Sequence, residues 1–282
     1  RASLPGIAGN TSIPWSNVGE MKNQGFDSSL EYGRKVGNCY LSGRANFTYN
    51  NSLVINNDEP AYKWPYQGAS GHKYGQEWGL ICEGFFESEE EIRNSAIQQF
   101  GEVRPGDFKY SDINGDGIVN DEDQVPIGNP GLPQISYGFG GSLSWNSFDF
   151  SFFFQGVART SFMMYGMHPF GTTSIKNMLQ FVADDHWSVD NPNPNAAYPR
   201  LTKDSNGNND QYSTYWLRNA AFLKLKNAEI GYTYKGMRFY LSGVNLLTFS
   251  PFKHWDPEMG GGNGLYYPTQ RVFNIGFQMT IQ

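Results

Sequence analysis

The stretch Gln134-Ile135-Ser136-Tyr137-Gly138-Phe139-Gly140-Gly141-Ser142-Leu143-Ser144-Trp145-Asn146-Ser147-Phe148-Asp149-Phe150-Ser151-Phe152-Phe153-Phe154-Gln155 alternates large apolar side chains with small or polar ones, twice over. In its first half Ile135, Tyr137, Phe139, Leu143 and Trp145 share one face of an extended chain, while Gln134, Ser136, Gly138, Gly140, Ser142 and Ser144 share the other. In its second half Phe148, Phe150, Phe152 and Phe154 oppose Ser147, Asp149, Ser151 and Gln155, with Phe153 as the single exception on the polar face. A period of two belongs to strands, and Asn146-Ser147 leaves room only for a tight turn. The stretch therefore reads as an antiparallel hairpin.

The same pattern recurs on both sides. At the end of the chain Phe273, Ile275, Phe277, Met279 and Ile281 alternate without interruption with Asn274, Gly276, Gln278, Thr280 and Gln282. Weaker alternation runs over 26–32, 41–49, 223–234 and 237–248. In 223–234 the apolar parity jumps from Leu223 and Leu225 to Ala228, Ile230, Tyr232 and Tyr234, which predicts a β-bulge near Asn227. The fold class is all-β, with about seven long strands.

Their connections alternate strictly between short and long. Tight turns fall at 35–38, 146–147 and 235–236, whereas the intervening connections are 52–133, 158–217 and 250–269. A β-sandwich, whose apolar rows would form its core, has no reason to place every long loop at one end. A transmembrane β-barrel does, with short periplasmic turns and long extracellular loops. On this reading the apolar rows face lipid and the Ser, Gly, Asn, Gln and Thr rows line a polar lumen. The segment 79–86 is a local piece of the first loop, not a spanning strand. An odd number of strands cannot close a single-chain bacterial barrel, so the remaining wall comes from outside these 282 residues.

Composition agrees. With 27 acidic and 21 basic residues the net charge is −6, 16% of residues are aromatic and only 17% are charged, which excludes a disordered chain. The absence of any Lys/Arg run leaves no electrostatic footprint for nucleic acid. Mean hydropathy is −0.54, and no apolar stretch approaches the roughly 18 residues of a spanning helix, a test that does not touch spanning strands. Arg1 stands where an initiator Met is expected, with no export signal after it, so the chain reads as a fragment. Cys39 and Cys82 are the only cysteines. The topology places Cys39 at the periplasmic rim and Cys82 outside, so they are expected to be unbonded.

One local motif carries chemistry. Asp112-Ile113-Asn114-Gly115-Asp116-Gly117-Ile118, followed by Asp121, Glu122 and Asp123, supplies oxygens at positions 1, 3, 5, 7 and 12 of an EF-hand-type loop: Asp112, Asn114, Asp116, the carbonyl of Ile118, and Asp123. Gly117 fills the sixth position, where the turn is sharpest. The expected ligand is a structural Ca²⁺ that pins an external loop; a cluster of Asx and Gly turns with no metal accounts for the same residues. The loop departs from an EF-hand in having Asp123 where Glu is usual and no clear flanking helices. Upstream, Ser88-Glu89-Glu90-Glu91 predicts a capping box opening a short helix on which Ile92, Ala96 and Phe100 share a face, and a second helix is expected over 174–186.

Enzyme signatures are thin. His72, His168, His186 and His254 are scattered, and no H-E-x-x-H pair, nucleophile elbow, phosphate loop or dinucleotide fingerprint occurs. Asp184-Asp185-His186 reads as a solvated helix end, and Asp107, Asp256 and Glu258 could be paired as glycosidase carboxylates only at a separation that no sequence spacing fixes; the chain is read as no enzyme. Loop aromatics are more suggestive. Trp64, Tyr66, Trp78 and Trp255 are the candidate substrate-binding residues, since flat rings near Asn and Asp suit sugars and peptides alike; loop packing or an interfacial aromatic girdle accounts for the same rings.

Taken in order, the local sequences also resemble a known family. Asn17-Val18-Gly19-Glu20, Gly84-Phe85-Phe86, Pro105-Gly106-Asp107 running into the Asp112 loop, Ile127-Gly128-Asn129-Pro130, Phe153-Phe154-Gln155-Gly156, Tyr198-Pro199-Arg200, Leu223-Lys224-Leu225-Lys226-Asn227, Ser242-Gly243-Val244-Asn245-Leu246 and Asp256-Pro257-Glu258 follow one another as in the C-terminal part of SusC/RagA-type TonB-dependent transporters. The resemblance implies a large plugged outer-membrane barrel of the 22-stranded class. It further implies an N-terminal barrel and plug portion, TonB as energy source, and a SusD-like surface lipoprotein lid over an oligosaccharide or oligopeptide substrate. Gln282 departs from the aromatic residue with which the family usually ends. A soluble, surface-exposed, calcium-stabilised β binding module or adhesin is the alternative.

Overall fold

The computed structural model of the chain describes residues 17–166, 179–203 and 205–279. Seven long strands, β1 (Glu20–Val36), β2 (Cys39–Asn56), β3 (Ile135–Trp145), β4 (Phe148–Ala158), β5 (Phe222–Tyr234), β6 (Met237–Phe249) and β7 (Val272–Met279), form one sheet. They pair in chain order, every neighbour antiparallel. Two-residue turns join β1 to β2, β3 to β4 and β5 to β6. The last of these has positive φ at both Lys235 (48°) and Gly236 (79°), the backbone that matches the twist of a hairpin.

Register converts the alternation into two continuous faces. One row runs Tyr32, Gly43, Gly141, Phe152, Ala228, Gly243, Phe273 across the sheet, and two residues nearer the short turns another runs Arg34, Leu41, Leu143, Phe150, Ile230, Leu241, Ile275. These rows and their parallels carry nearly all the large apolar side chains. They are uncovered: Ile275 is 88% exposed, Phe273 74% and Leu30 70%. No second sheet packs on this face among the described residues, so the apolar rows are not the core of a sandwich. Register shifts between Leu225 and Asn227 opposite β6, and again opposite β4 at Phe153/Phe154, which makes Lys226 the extra residue of the bulge.

The buried core lies elsewhere, in the three long connections. Leu80, Phe85, Phe108, Tyr110, Val119 and Ile127 from the first pack with Phe162, Met163, Met164, Val182, Trp187, Tyr198 and Trp216 from the second and Phe252 from the third. Phe108 anchors this cluster, with its ring 4.4 Å from that of Tyr215 and 5.4 Å from that of Phe85. Backbone bonds tie the connections together, Leu80 N–H donating to Tyr212 O (2.8 Å) and Gly262 N–H to Met163 O (2.9 Å). The loops are thus one folded body on the end of the sheet opposite the tight turns. Within it the residues 79–86 contribute only short strands, Glu77–Gly79 and Cys82–Phe85, each paired locally.

Two local expectations need correction. Ser88 caps α1 (Glu89–Asn94) by accepting from the Glu91 N–H, but the Glu91 carboxylate reaches past it to the Glu87 N–H (2.8 Å), so the reciprocal half of the capping box is displaced by one residue. The second helix is short, α2 (Gln180–Asp184), and residues 174–178 of its expected span lie outside the described residues. Cys39 and Cys82 are both free thiols, and burial pushes the Cys82 thiol up to about 12.

Candidate functional site

The polar face of the sheet is lined by short side chains because the register stacks them. Ser42 of β2 lies beside Ser142 of β3, their hydroxyls 2.7 Å apart, and Ser142 in turn faces Ser151 of β4. Thr48 donates to Asp27 (2.9 Å) across the first hairpin. Three strands are bridged where Arg238 of β6 meets Asp149 of β4 and Glu229 of β5, each at 2.5 Å. Glu31, Tyr40, Ser42, Arg44, Ser142, Ser151, Phe153 and Asn227 surround a hollow of about 490 Å³ on this face. Such a wall offers hydroxyls, amides and paired charges to water, the character expected of a lumen.

Where the wall meets the loop body, a charge cluster fixes the junction. Lys224 of β5 is fully buried, its Nζ 2.8 and 2.6 Å from the two carboxylate oxygens of Asp256 and 2.5 Å from Glu258. Lys226, thrown out by the bulge, shares Glu258 at 2.6 Å. Burial pushes the Asp256 and Glu258 carboxyls up, but Lys224 and the Glu258 N–H at Asp256, and Lys224 with Lys226 at Glu258, outweigh it and hold both below the usual carboxylate range. The Leu223–Lys226 alternation and the spacing of Asp256 and Glu258 were visible in the sequence, yet nothing in either segment alone revealed that they meet.

A second buried carboxylate organises the loop body itself. Asp107 is 0% exposed and accepts from Arg200 (2.9 Å), Asn206 (2.9 Å), Asn209 (2.8 Å) and the Arg104 N–H (2.8 Å), which ties the first connection to the second. Asp184, Asp185 and His186 make no catalytic arrangement: Asp185 accepts from Asn193 and the Ala197 N–H, and His186 Nδ1 lies 3.1 Å from the Val182 carbonyl.

The Asp112 loop is wound by its own side chains. Asp112 accepts from Gly115 N–H (2.7 Å) and Gly117 N–H (2.8 Å), Asn114 from Asp116 N–H (2.8 Å), and Asp116 from Ile118 N–H (2.9 Å). Gly117 O and Val119 O accept from Ile97 and Gln99, so by strand alternation the Ile118 carbonyl points to the other side. Asp123 is fully buried, and its two oxygens accept from Ile113, Asn114 and Asn120 N–H groups. No group of three or more His, Cys, Asp or Glu gathers as for a metal among the described residues. Every side-chain oxygen donor of the motif is thus engaged by a backbone N–H, Asp112 through both carboxylate oxygens, Asn114 and Asp116 through one oxygen each, and Asp123 through both. Flanking the loop are a two-residue strand, Ile118–Val119, and a 3₁₀ turn, Asp121–Asp123, in place of helices.

Of the candidate aromatics, Trp64 and Tyr66 come together and the others do not join them. Their rings are parallel within 8° at 6.2 Å, and both reach Glu122, Trp64 through Nε1 to the carboxylate (3.1 Å) and Tyr66 through its hydroxyl to the carbonyl (2.8 Å). Burial, with the Asp123 and Glu122 carboxylates nearby, pushes the Tyr66 phenol above its ordinary value. Trp78 sits edge-on to His72 at 5.1 Å. Trp255 packs on Phe252 (4.6 Å) and donates to the Gly260 carbonyl (2.9 Å), beside a hollow of about 370 Å³ lined by Phe181, Asp184, Lys253 and His254.

Known proteins are similar to this chain in sequence and in architecture. No family model matches the chain. TonB-dependent receptor P26 of Formosa agariphila is 31% identical over 226 residues, 72% of this chain and 22% of that protein. TonB-dependent receptor P3 of the same organism is 24% identical over 98% of this chain and 30% of its own length. TonB-dependent receptor SusC of Bacteroides thetaiotaomicron is 26% identical over 62% of this chain and 18% of its own. Among solved structures, the RagAB peptide transporter superposes over 99% of this chain and 31% of its own, with a TM-score of 0.70 at 22% identity. The RagAB peptide importer in the closed-closed state gives 0.68 at 23% identity over 98% of this chain. The chain therefore spans less than a third of the length of these relatives.

Proposed function

The chain is a barrel segment of a SusC/RagA-type TonB-dependent receptor, and we propose that it supplies wall and extracellular loop body to an outer-membrane transporter that imports oligosaccharides or oligopeptides. The observation that carries this reading is the continuity of the two faces across all seven strands, greasy and uncovered on one side, hydroxylated and charged on the other. The apolar rows contact hydrocarbon, the polar rows line the passage, and the three long connections stand outside the cell. The rest of the receptor closes the barrel and carries the plug that TonB engages. A SusD-like lipoprotein lid covers the loop body, a partnership that the RagAB neighbours support by analogy. The chain's part is containment and recognition, with no reaction catalysed.

Cargo is tested on the full-length receptor with its co-purifying partner in outer-membrane vesicles. Uptake of fluorescent oligosaccharides and oligopeptides of matched length is compared with and without an energised TonB system. TonB-dependent accumulation of one class is the expected result. A receptor that is monodisperse without detergent and accumulates neither class would return the reading to a soluble binding module.

The Asp112 loop belongs to this reading as a structural Ca²⁺ site. The spacing of Asp112, Asn114, Asp116 and the Ile118 carbonyl supports a hard cation, whose role would be to stiffen the loop that carries Trp64 and Tyr66. Terbium added to the calcium-stripped receptor is expected to luminesce on excitation of the nearby Trp64, and D112N is expected to abolish that signal. Luminescence unchanged in D112N would remove the ion from this loop.

A further inference from the structure

One residue on the polar face of the wall breaks its pattern. Phe153 points to the polar side, where its ladder neighbours are small or polar. One row of the ladder runs Glu31 (β1), Arg44 (β2), Gly140 (β3), Phe153 (β4) and Asn227 (β5). Gly140 is the direct partner of both Arg44 and Phe153, and having no side chain it lets theirs meet above it. A Cβ added at Gly140 would lie 2.9 Å from the Phe153 ring, and one added at Gly138 would lie 2.8 Å from its tip, so the two glycines form the slot in which the ring lies. The Arg44 guanidinium lies over that ring at 4.8 Å.

Arg44 leans toward Phe153 although Glu31 is its direct partner on the other strand, and no salt bridge forms between them. A guanidinium stacked on an aromatic face keeps its N–H edges free and loses little freedom when an acceptor arrives. Those edges open on the 490 Å³ hollow, with Ser42, Ser142 and Ser151 as hydroxyl donors one row away. We propose that Arg44, held on Phe153 over Gly140, is a carboxylate-binding subsite of the lumen wall. The ligand is a carboxylate group, borne either by imported cargo or by another part of the receptor inside the barrel. Glu31 sets the opposing charge and limits how much anion the hollow accepts. The inference rests on the lumen assignment above.

The test uses the full-length receptor in detergent with fluorescein-labelled penta-glutamate and penta-glutamine. A preference of about tenfold for penta-glutamate, the scale of one charge-assisted hydrogen-bonded pair, is expected. R44Q and F153A are each expected to abolish that preference, and E31Q to raise it. In parallel, R44K is treated with a water-soluble carbodiimide, which joins an amine to a touching carboxylate. A cross-link from position 44 to penta-glutamate assigns the subsite to cargo. A cross-link to a receptor carboxylate other than Glu31 assigns it to the receptor's own interior segment, and in that case no peptide preference is needed. A cross-link to Glu31 alone, or none, together with equal binding of the two peptides, overturns the proposal. That failure in a detergent-dependent receptor leaves the barrel reading standing, whereas a receptor soluble without detergent would remove both.

Discussion

Lys224 shows how one residue links the wall to the loops. A fully buried ammonium is tolerable only because Asp256 and Glu258 neutralise it and complete its hydrogen bonds. Removing the cation leaves two carboxylates facing each other with Lys226 alone to serve them, so K224M is expected to destabilise the docking of the 250–271 connection by about 3–5 kcal/mol. Rapid cleavage of that connection by a protease in the variant, but not in wild type, is the measurement. The pH dependence has a definite sign. Both carboxyls are held below their unfolded values, so their contribution is complete above about pH 4.3 and is lost as the pH falls through the lowered values in the folded protein. Protease protection of 250–271 is thus expected to persist at pH 5 and to fail in more acidic solution, and a loss between pH 6 and 8 would count against it. Asp107 does the same work inside the loop body. D107A leaves Arg200, Asn206 and Asn209 without their shared acceptor and is expected to expose 205–217 to cleavage.

At the scale of elements, strands were legible because their environment is two-sided. Each long strand has lipid-type residues on one face and water-type residues on the other, so the period of two in 134–155 survives into β3 and β4, and the parity jump at Asn227 survives as the Lys226 bulge. The loop body was opaque for the opposite reason. Its core is assembled from residues far apart in sequence, Leu80 with Trp216 and Phe162 with Phe252, and no local period announces such contacts. The turn chemistry of the Asp112 loop is local, its side chains bonding to their own backbone within a few residues, whereas the backbone role of Asp123 required its return to Ile113 and Asn114. Gly140 tests how far a strand's fit depends on its neighbours. Its Cβ position lies 2.3 Å from the Phe152 carbonyl oxygen as well as against Phe153, so G140V is expected to cost about 1–3 kcal/mol through overpacking. The readout is the urea midpoint of the folded receptor in lipid vesicles. S142V, one row away and facing the open hollow, is expected to shift that midpoint much less.

For the molecule as a whole, the decisive question is which medium touches each face of the sheet, and two adjacent residues answer it. Ile275 and Asn274 are neighbours in β7, equal in backbone setting, but Ile275 stands in a row with Leu241 and Ile230 while Asn274 stands with Ser242 and Glu229. A barrel makes the two sites unequal. An arginine on the lipid face costs about 2–4 kcal/mol at mid-membrane and about 0–1 kcal/mol near the interface, because the charge loses water, while one facing the lumen stays in water; Ile275 lies between these limits, in the row nearer the short turns that also holds Arg34. I275R is therefore expected to lower the stability of the receptor in vesicles by about 1–2 kcal/mol and to reduce the heat-modifiable, folded band on gels, with N274R close to wild type. A soluble sheet with an exposed apolar face predicts the reverse for I275R, since replacing a solvent-exposed isoleucine with arginine there relieves an aggregation-prone surface. The sign of the I275R effect, measured against N274R in the same strand, separates a wall in lipid from a sheet in water.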